Sequence, residues 1–343
     1  MRRLRNTLYI FTENAYLALD GENVVARVSG DEIGRIPLHT LESIFCFTYP
    51  GASPQLMSAC SERGVALAFF SPRGRFLARS YGRCQGNIHL RRQQYRLADE
   101  EAWSLGVAKR FLIGKIYNSR WVLERVVRDH SLRIEADAVR RASGRLVAAL
   151  AAIEECRDVA SLRGIEGDAA SVYFSVFDEM ILRDKESFRF VGRNRRPPTD
   201  RVNAMLSLFY SVLATDCASA LEGVGLDPYC GILHVDRPGR ESLALDIMEE
   251  LRPVLVDRFV VTSINNRVVS RKDFVELETG EVRLADAGRK RLFEVWQEKK
   301  REQITHPYLK EKIDRGLIPH VQALLLAQYI RGDLDDYPAF LWK

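Results

Sequence analysis

Near residue 90 the apolar residues of this 343-residue chain change their period. Before that point they alternate, or run in short bursts between turn residues. After it they recur every three or four positions for most of the remaining length. A chain that switches from period 2 to period 3.6 folds as strands followed by helices. An α+β architecture is therefore expected, with a small sheet-based domain over 1–90 and a larger all-α domain over 91–343.

Punctuation residues sharpen both halves. Segments 8–19 and 24–28 flank Asp20-Gly21-Glu22-Asn23, a hairpin signal. Ser53, Pro54 and Gly64 frame a short helix as cap, first-turn residue and terminator. Segment 65–70 reads as a buried strand that returns through Ser71-Pro72-Arg73-Gly74 into 75–80. The helical pattern then predicts helices over 88–97, 102–128, 132–152, 169–182, 202–221, 287–303 and 319–330.

Composition permits a large core without staples: 46% of residues are hydrophobic and 28% charged. The net charge of +5 allows a nucleic-acid partner without requiring one. Six cysteines form no CxxC pair, so neither a disulfide framework nor a zinc knuckle is expected, and a cytoplasmic setting is the default. No run of about 18 uncharged apolar residues is present, so no membrane span is expected. Glu13, Asn14 and Asp20 break the N-terminal apolar run too early for a signal peptide.

Chemistry concentrates in residues 230–259. His234 lies in a short apolar run, followed by a turn rich in Pro, Gly and Arg. If 243–258 is helical, Asp246, Glu249, Glu250, Pro253 and Asp257 share one side and Leu243, Ile247, Leu251, Val254 and Leu255 the other. Pro253 is placed to kink that helix or end it early. Upstream, Glu166 stands between Gly164 and Gly167 at the mouth of the predicted 169–182 helix. A helix dipole alone favours an acid there, and an acidic helix face is usually solvated. Imidazole with carboxylates is also a ligand set for a divalent ion, Mg²⁺ or Mn²⁺. Asp246 and Glu249 could both approach such an ion, or one could ligate while the other orients. Segment 189–201 carries five arginines, among them Arg193, Arg195, Arg196 and Arg201, against one acid. It reads as an anion-binding loop, which Arg258, Arg267, Arg271 and the 289–291 cluster could extend as a basic surface. No Walker or dinucleotide loop and no nucleophile elbow is present, which argues against nucleotide-fuelled and acyl-transfer chemistry.

Three ordered motifs, GIEGDAA (164–170), RRPPTDRVNAMLSLFYSVL (195–213) and GILHVDRPGRESLALDIMEELRP (231–253), closely resemble the CRISPR-associated protein 1 family. LRNTLYIFTENAYLALDGENVV and GASPQLMSACSERGVALAFF resemble its type I-C branch. The resemblance implies a β-sandwich-like N-terminal dimerisation domain and a helical catalytic domain. It implies an integrase that inserts new spacers into the CRISPR array by metal-dependent strand transfer, with endonuclease activity from the same site; the alternative is a non-catalytic DNA-binding scaffold. The implied metal ligands are Glu166, His234 and Glu249, with Asp246 as a further acid of the site and Glu250 adjacent. The implied DNA contacts are Arg193, Arg195, Arg196, Arg201 and Arg258. The implied partners are duplex DNA with 3′ overhangs, leader-repeat DNA, a second copy of the chain, and a dimer of CRISPR-associated protein 2 in a heterohexamer. The aromatic tail, with Tyr337, Phe340, Leu341 and Trp342, is expected to dock on its own domain or on a partner chain.

Overall fold

A computed structural model describes residues 5–72, 74–80, 87–194 and 197–343. Its strands form where the sequence alternates. They are β1 (Asn6–Ile10), β2 (Tyr16–Asp20), β3 (Asn23–Val28), β4 (Asp31–Pro37) and β5 (Leu41–Cys46), then β6 (Ala66–Phe70) and β7 (Phe76–Ser80) after helix α1 (Pro54–Glu62). One sheet has the order β1-β5-β6-β7, with β1, β5 and β6 parallel and β7 antiparallel; the other is the antiparallel meander β2-β3-β4. The expected hairpin forms: Asp20 pairs with Asn23, and Gly21 takes φ +57°, which a glycine adopts without steric cost. Ser53 caps α1, its hydroxyl accepting from Leu56 N at 3.2 Å. Ile10, Leu17, Val24, Ile44, Leu56 and Leu67 meet in one core, so both sheets and α1 enclose the same apolar layer.

The chain divides into two compact units, the first comprising Met1–Gln85, Arg289–Glu302 and Asp314–Leu317 and the second the remainder. Two late segments thus group with the strands, where the sequence suggested a single break near residue 90. Aromatic packing is the reason. Phe293 lies 4.4 Å from the Tyr9 ring, 5.2 Å from Phe11 and 5.3 Å from Phe47, centroid to centroid. Arg289 is buried with its guanidinium 4.9 Å over Phe11, so this member of the 289–291 cluster does not extend a basic surface.

The second unit is mostly helical: α2 (Ile88–Ala98), α3 (Glu101–His130), α4 (Ala136–Glu155), α5 (Val159–Ser175), α6 (Arg201–Gly223), α7 (Ser242–Arg252), α8 (Arg258–Asn265), then α9 (Asp286–Arg301), whose greater part joins the first unit, and α10 (Ile318–Arg331). It is not purely α, because β8 (Phe274–Glu276) pairs antiparallel with β9 (Val282–Leu284), and β10 (Gln303–Thr305) pairs with β11 (Lys312–Asp314). Among the described residues α6 is the one helix long and apolar enough to cross a bilayer, and it is mostly buried inside the protein. Asp200 caps it, accepting from Asn203 N at 2.8 Å.

Two expectations change. The helix after 158 begins at Val159, ten residues before the predicted start, so Glu166 lies two turns inside α5 and the dipole explanation for it lapses. Pro253 does end α7, but the chain continues through a π-helical turn, Pro253–Asp257, straight into α8. Both faces of this segment are buried, with Asp246, Glu249, Glu250 and Asp257 all almost fully covered. A buried row of carboxylates requires cations and donors to satisfy it.

Candidate active site

The 231–234 turn is built on one acid. Asp246 is fully buried and accepts from Ile232 N at 2.7 Å, Leu233 N at 3.0 Å and His234 N at 3.0 Å. Its Oδ1 also lies 2.6 Å from His234 Nδ1. A carboxylate accepts at that nitrogen, so the neutral imidazole carries its proton on Nδ1 and presents the Nε2 lone pair. Gly231 permits the turn: a Cβ there would stand 2.4 Å from His234 O and 2.5 Å from Ser242 Cβ. Asp246 therefore positions the histidine, rather than standing beside it as an equal.

Glu249, one turn further along α7, meets two cations. Arg252 Nη1 donates to both of its oxygens, at 2.9 and 3.1 Å, and Lys115 Nζ lies 2.7 Å from Oε2. Burial pushes the Glu249 carboxyl up, but Arg252 and Lys115 outweigh it and hold the group at about 2. The same Lys115 ammonium donates to Glu166 Oε1 from α5. Two carboxylates from two helices thus converge on one positive centre, with His234 near enough to Glu249 to act on its charge. The Lys115 and Glu249 side chains are 7% and 8% exposed, whereas Glu166 and His234 are each 30% exposed, so the site is closed beneath and open at one side. Gly164 and Gly167 of α5 are exposed on other faces of the helix than Glu166, and a Cβ at either would meet no atom within 4 Å. Glycine inside a helix costs about 0.5–1 kcal/mol against alanine, and no internal packing here requires it.

Behind Glu249 a second buried layer fixes Arg252. Its guanidinium lies 4.6 Å over the Tyr210 ring, and the Tyr210 hydroxyl donates to Asp257. Burial holds Asp257 above the usual carboxylate range, with Arg252 and Tyr210 opposing it in part.

Glu250 looks the other way. It accepts from the Tyr337 hydroxyl, from Gln322 Nε2 at 3.0 Å and from Phe340 N at 2.7 Å. Burial raises it to about 7 against those donors. The aromatic tail accordingly docks on its own unit: Tyr337, Phe340 and Trp342 are buried, Trp342 N donates to Asn118 Oδ1 at 2.9 Å, and Asn118 Nδ2 donates to Phe340 O at 2.7 Å. The Trp342 ring lies between Arg125 at 3.9 Å and Arg258 at 4.3 Å.

The arginines expected at DNA are mostly engaged within the fold. Arg193 donates to Asn203 Oδ1 at 2.6 Å and Ser207 Oγ at 3.1 Å, and Arg201 donates to Ser187 O at 2.7 Å and to Glu276. Arg258 stacks on Trp342, and Arg195 and Arg196 lie outside the described residues. Sequence reading missed Lys115 and Arg252. Lys115 had a signal: it sits on the apolar stripe of α3 with Phe111, Asn118 and Val122, where a lysine requires a partner.

Among the described residues no three His, Cys, Asp or Glu side chains form a ready-made metal cluster. The donor chemistry nevertheless fits a divalent ion. Glu166 and Glu249 supply oxygens suited to Mg²⁺ or Mn²⁺, His234 supplies an oriented nitrogen, and the point where the carboxylates meet already attracts a cation.

Comparison with known proteins places this chain in a family. The family described as CRISPR associated protein Cas1 matches residues 8–298. The chain is 47% identical over 343 residues, covering all of both chains, to CRISPR-associated endonuclease Cas1 1 of Chlorobaculum tepidum. Its fold is similar to a casposase bound to its integration product, with TM-score 0.85, 20% identity, and 99% and 95% of the two chains covered. It is also similar to a chain of a Cas6-RT-Cas1–Cas2 complex, with TM-score 0.80 and 21% identity over 99% of this chain and 36% of that one. At such identities these two likenesses concern the fold alone. The match over most of the chain and the full-length relative are decisive: this chain belongs to the Cas1 family of CRISPR-associated proteins.

Proposed function

We propose that this protein is a metal-dependent DNA integrase of CRISPR adaptation that also cleaves DNA from the same site. The observation that carries the reading is the convergence of Glu166 and Glu249 on one cationic point beside an imidazole locked by Asp246. In this reading Glu166, His234 and Glu249 hold Mg²⁺ or Mn²⁺. When bound, the ion would activate a 3′-hydroxyl and stabilise charge on the attacked phosphodiester.

The protein's own residues do the positioning. Asp246 fixes the histidine tautomer, and Arg252 keeps Glu249 ionised and in place. Strand transfer exchanges one phosphodiester for another, so no nucleotide fuel is required, in keeping with a sequence that lacks a Walker loop.

The proposed substrates are duplex DNA with 3′ overhangs and leader-repeat DNA. The proposed assembly is a homodimer, two of which flank a dimer of CRISPR-associated protein 2. The name of a relative, an endonuclease, and the names of two proteins of the same fold, one bound to an integration product and one paired with Cas2, support this reading. With Arg193, Arg201 and Arg258 engaged internally, the arginine-loop contact with phosphate rests on Arg195 and Arg196.

The test is integration of a short overhanging duplex into a plasmid bearing a leader and repeat, with and without the Cas2 partner and with divalent ion or chelator. Joined product that requires the ion is expected. Product of equal yield in chelator would refute metal dependence. DNA binding without transfer or cleavage under any condition would leave only a scaffold.

A further inference from the structure

Lys115 is the one strongly placed group of the site that the proposed chemistry does not use. It leaves α3 from a buried position. An ammonium survives there only if it is paired. Its pairing is unusual in kind: the two contacts of its Nζ are Glu166 and Glu249, the two carboxylates read above as metal ligands, and they come from different helices.

We propose that Lys115 is a resident counter-cation, which occupies the ion position in the metal-free protein and withdraws when a divalent ion enters. The inference rests on the reading that Glu166, His234 and Glu249 take that ion. Charge balance motivates it. Glu166 and Glu249 carry two negative charges, and Lys115 and Arg252 offset them. A divalent ion added to all four would face two positive groups on the oxygens it needs, Arg252 on Glu249 alone and Lys115 bridging Glu249 and Glu166.

Arg252 is fixed by more than Glu249, since its guanidinium also covers the Tyr210 ring at 4.6 Å. Lys115 is different. Its ammonium is held by those two carboxylates, and its four-carbon stem has free torsions. Lys115 also borders a small, mostly apolar cavity with Ser119, Leu146, Tyr173, Phe174 and Pro253, so an ammonium that leaves the carboxylates is not drawn into the core and moves toward the open side of the site. The ion pair therefore stabilises the site before metal arrives, and its rupture is part of the cost of loading.

Mn²⁺ binding to the full-length protein, followed by the electron paramagnetic resonance signal of free Mn²⁺, tests this. Wild type, K115M, K115R and E166Q are compared. K115M is expected to bind Mn²⁺ about ten-fold tighter than wild type or better, because the competing charge is gone. K115R, which keeps a charge in a group that pairs two-pronged with carboxylates, is expected to bind no tighter than wild type.

A second measurement uses wild type alone and does not depend on the folding of a variant. Reductive methylation of Lys115, read by mass spectrometry, is expected to rise severalfold on adding Mn²⁺. Unchanged or weaker binding by K115M overturns the proposal, as does methylation that Mn²⁺ leaves unchanged or lowers. Failure of the underlying reading looks different: E166Q would then bind Mn²⁺ as wild type does, and the ion would not be at this site.

Discussion

His234 Nδ1 lies 2.6 Å from Asp246 Oδ1, and the same carboxylate gathers the backbone N–H groups of Ile232, Leu233 and His234. One buried acid thus sets both the path of the turn and the tautomer of the ring. Asp246→Asn turns an amide N–H₂ toward donors. It should lower stability by about 1–3 kcal/mol through an unpaired buried donor, and weaken metal affinity about 10–100-fold through the loosened imidazole. Thermal melting and Mn²⁺ titration of the same sample check both. An unchanged melting temperature would count against the gathering role.

The three proposed ligands should separate by stability even though each is expected to end activity. Glu166→Gln replaces a part-exposed group and should abolish strand transfer with little change in melting temperature. His234→Ala should act similarly. Glu249→Gln should abolish transfer and also cost about 3–5 kcal/mol, because it leaves the buried Arg252 and Lys115 charges without their shared partner. Denaturant unfolding beside the plasmid assay distinguishes the cases. Full activity in any of the three removes that residue from the site.

Cutting the chain after Asp336 should destabilise the isolated protein, because Tyr337, Phe340 and Trp342 are buried against their own unit. Removing one large aromatic from a core costs about 3–5 kcal/mol, so the truncated protein should melt far lower or fail to fold. Tyr337→Phe is the milder probe. It removes one donor from Glu250 and should cost about 1–2 kcal/mol. A normal melting temperature for the truncated chain would contradict self-docking.

Glu250 predicts a pH dependence of stability. Its folded value of about 7 lies above its ordinary 4.5, so between those values the folded state binds more protons than the unfolded one. Stability should then fall as pH rises from about 5 to 8. Glu250→Gln should flatten that slope. Glu249 acts in the opposite sense: held at about 2, it contributes stability above its ordinary 4.5 that is lost as pH falls toward 2. Melting temperatures across about pH 3 to 8 test both. A wild-type slope that persists in the Glu250→Gln variant would exclude Glu250 as its source.

For DNA, Arg195→Ala with Arg196→Ala should lower the slope of log K against log salt by about 1.8, at roughly 0.9 per lost phosphate contact. Arg193→Ala should leave the slope nearly unchanged and lower the melting temperature instead, since its guanidinium holds Asn203 and Ser207. Equal slopes for wild type and the double variant would make the 195–196 run a solvated one.

Much of this protein was legible from local signals. The change of period near residue 90, the Gly21 hairpin, the Ser53 cap and the long helices follow from side-chain periodicity and turn chemistry, which act over a few residues. The order of Glu166, His234 and the acids of α7 was legible too, because motif spacing is a property of the chain itself. Only the tertiary structure decided what each acid does. Asp246, Glu249 and Glu250 follow one another on a single helix, yet one gathers a turn, one meets Lys115 and Arg252, and one accepts from the C-terminal tail. Helix spacing places residues on a face but does not say which helix comes to that face. The partners here are remote in the chain: Lys115 comes from α3, and Phe340 lies 90 residues from Glu250. The same holds for the arginines. Their number suggested a basic surface, while the folded chain engages Arg193, Arg201 and Arg258 in contacts that leave them half-buried, and buries Arg289.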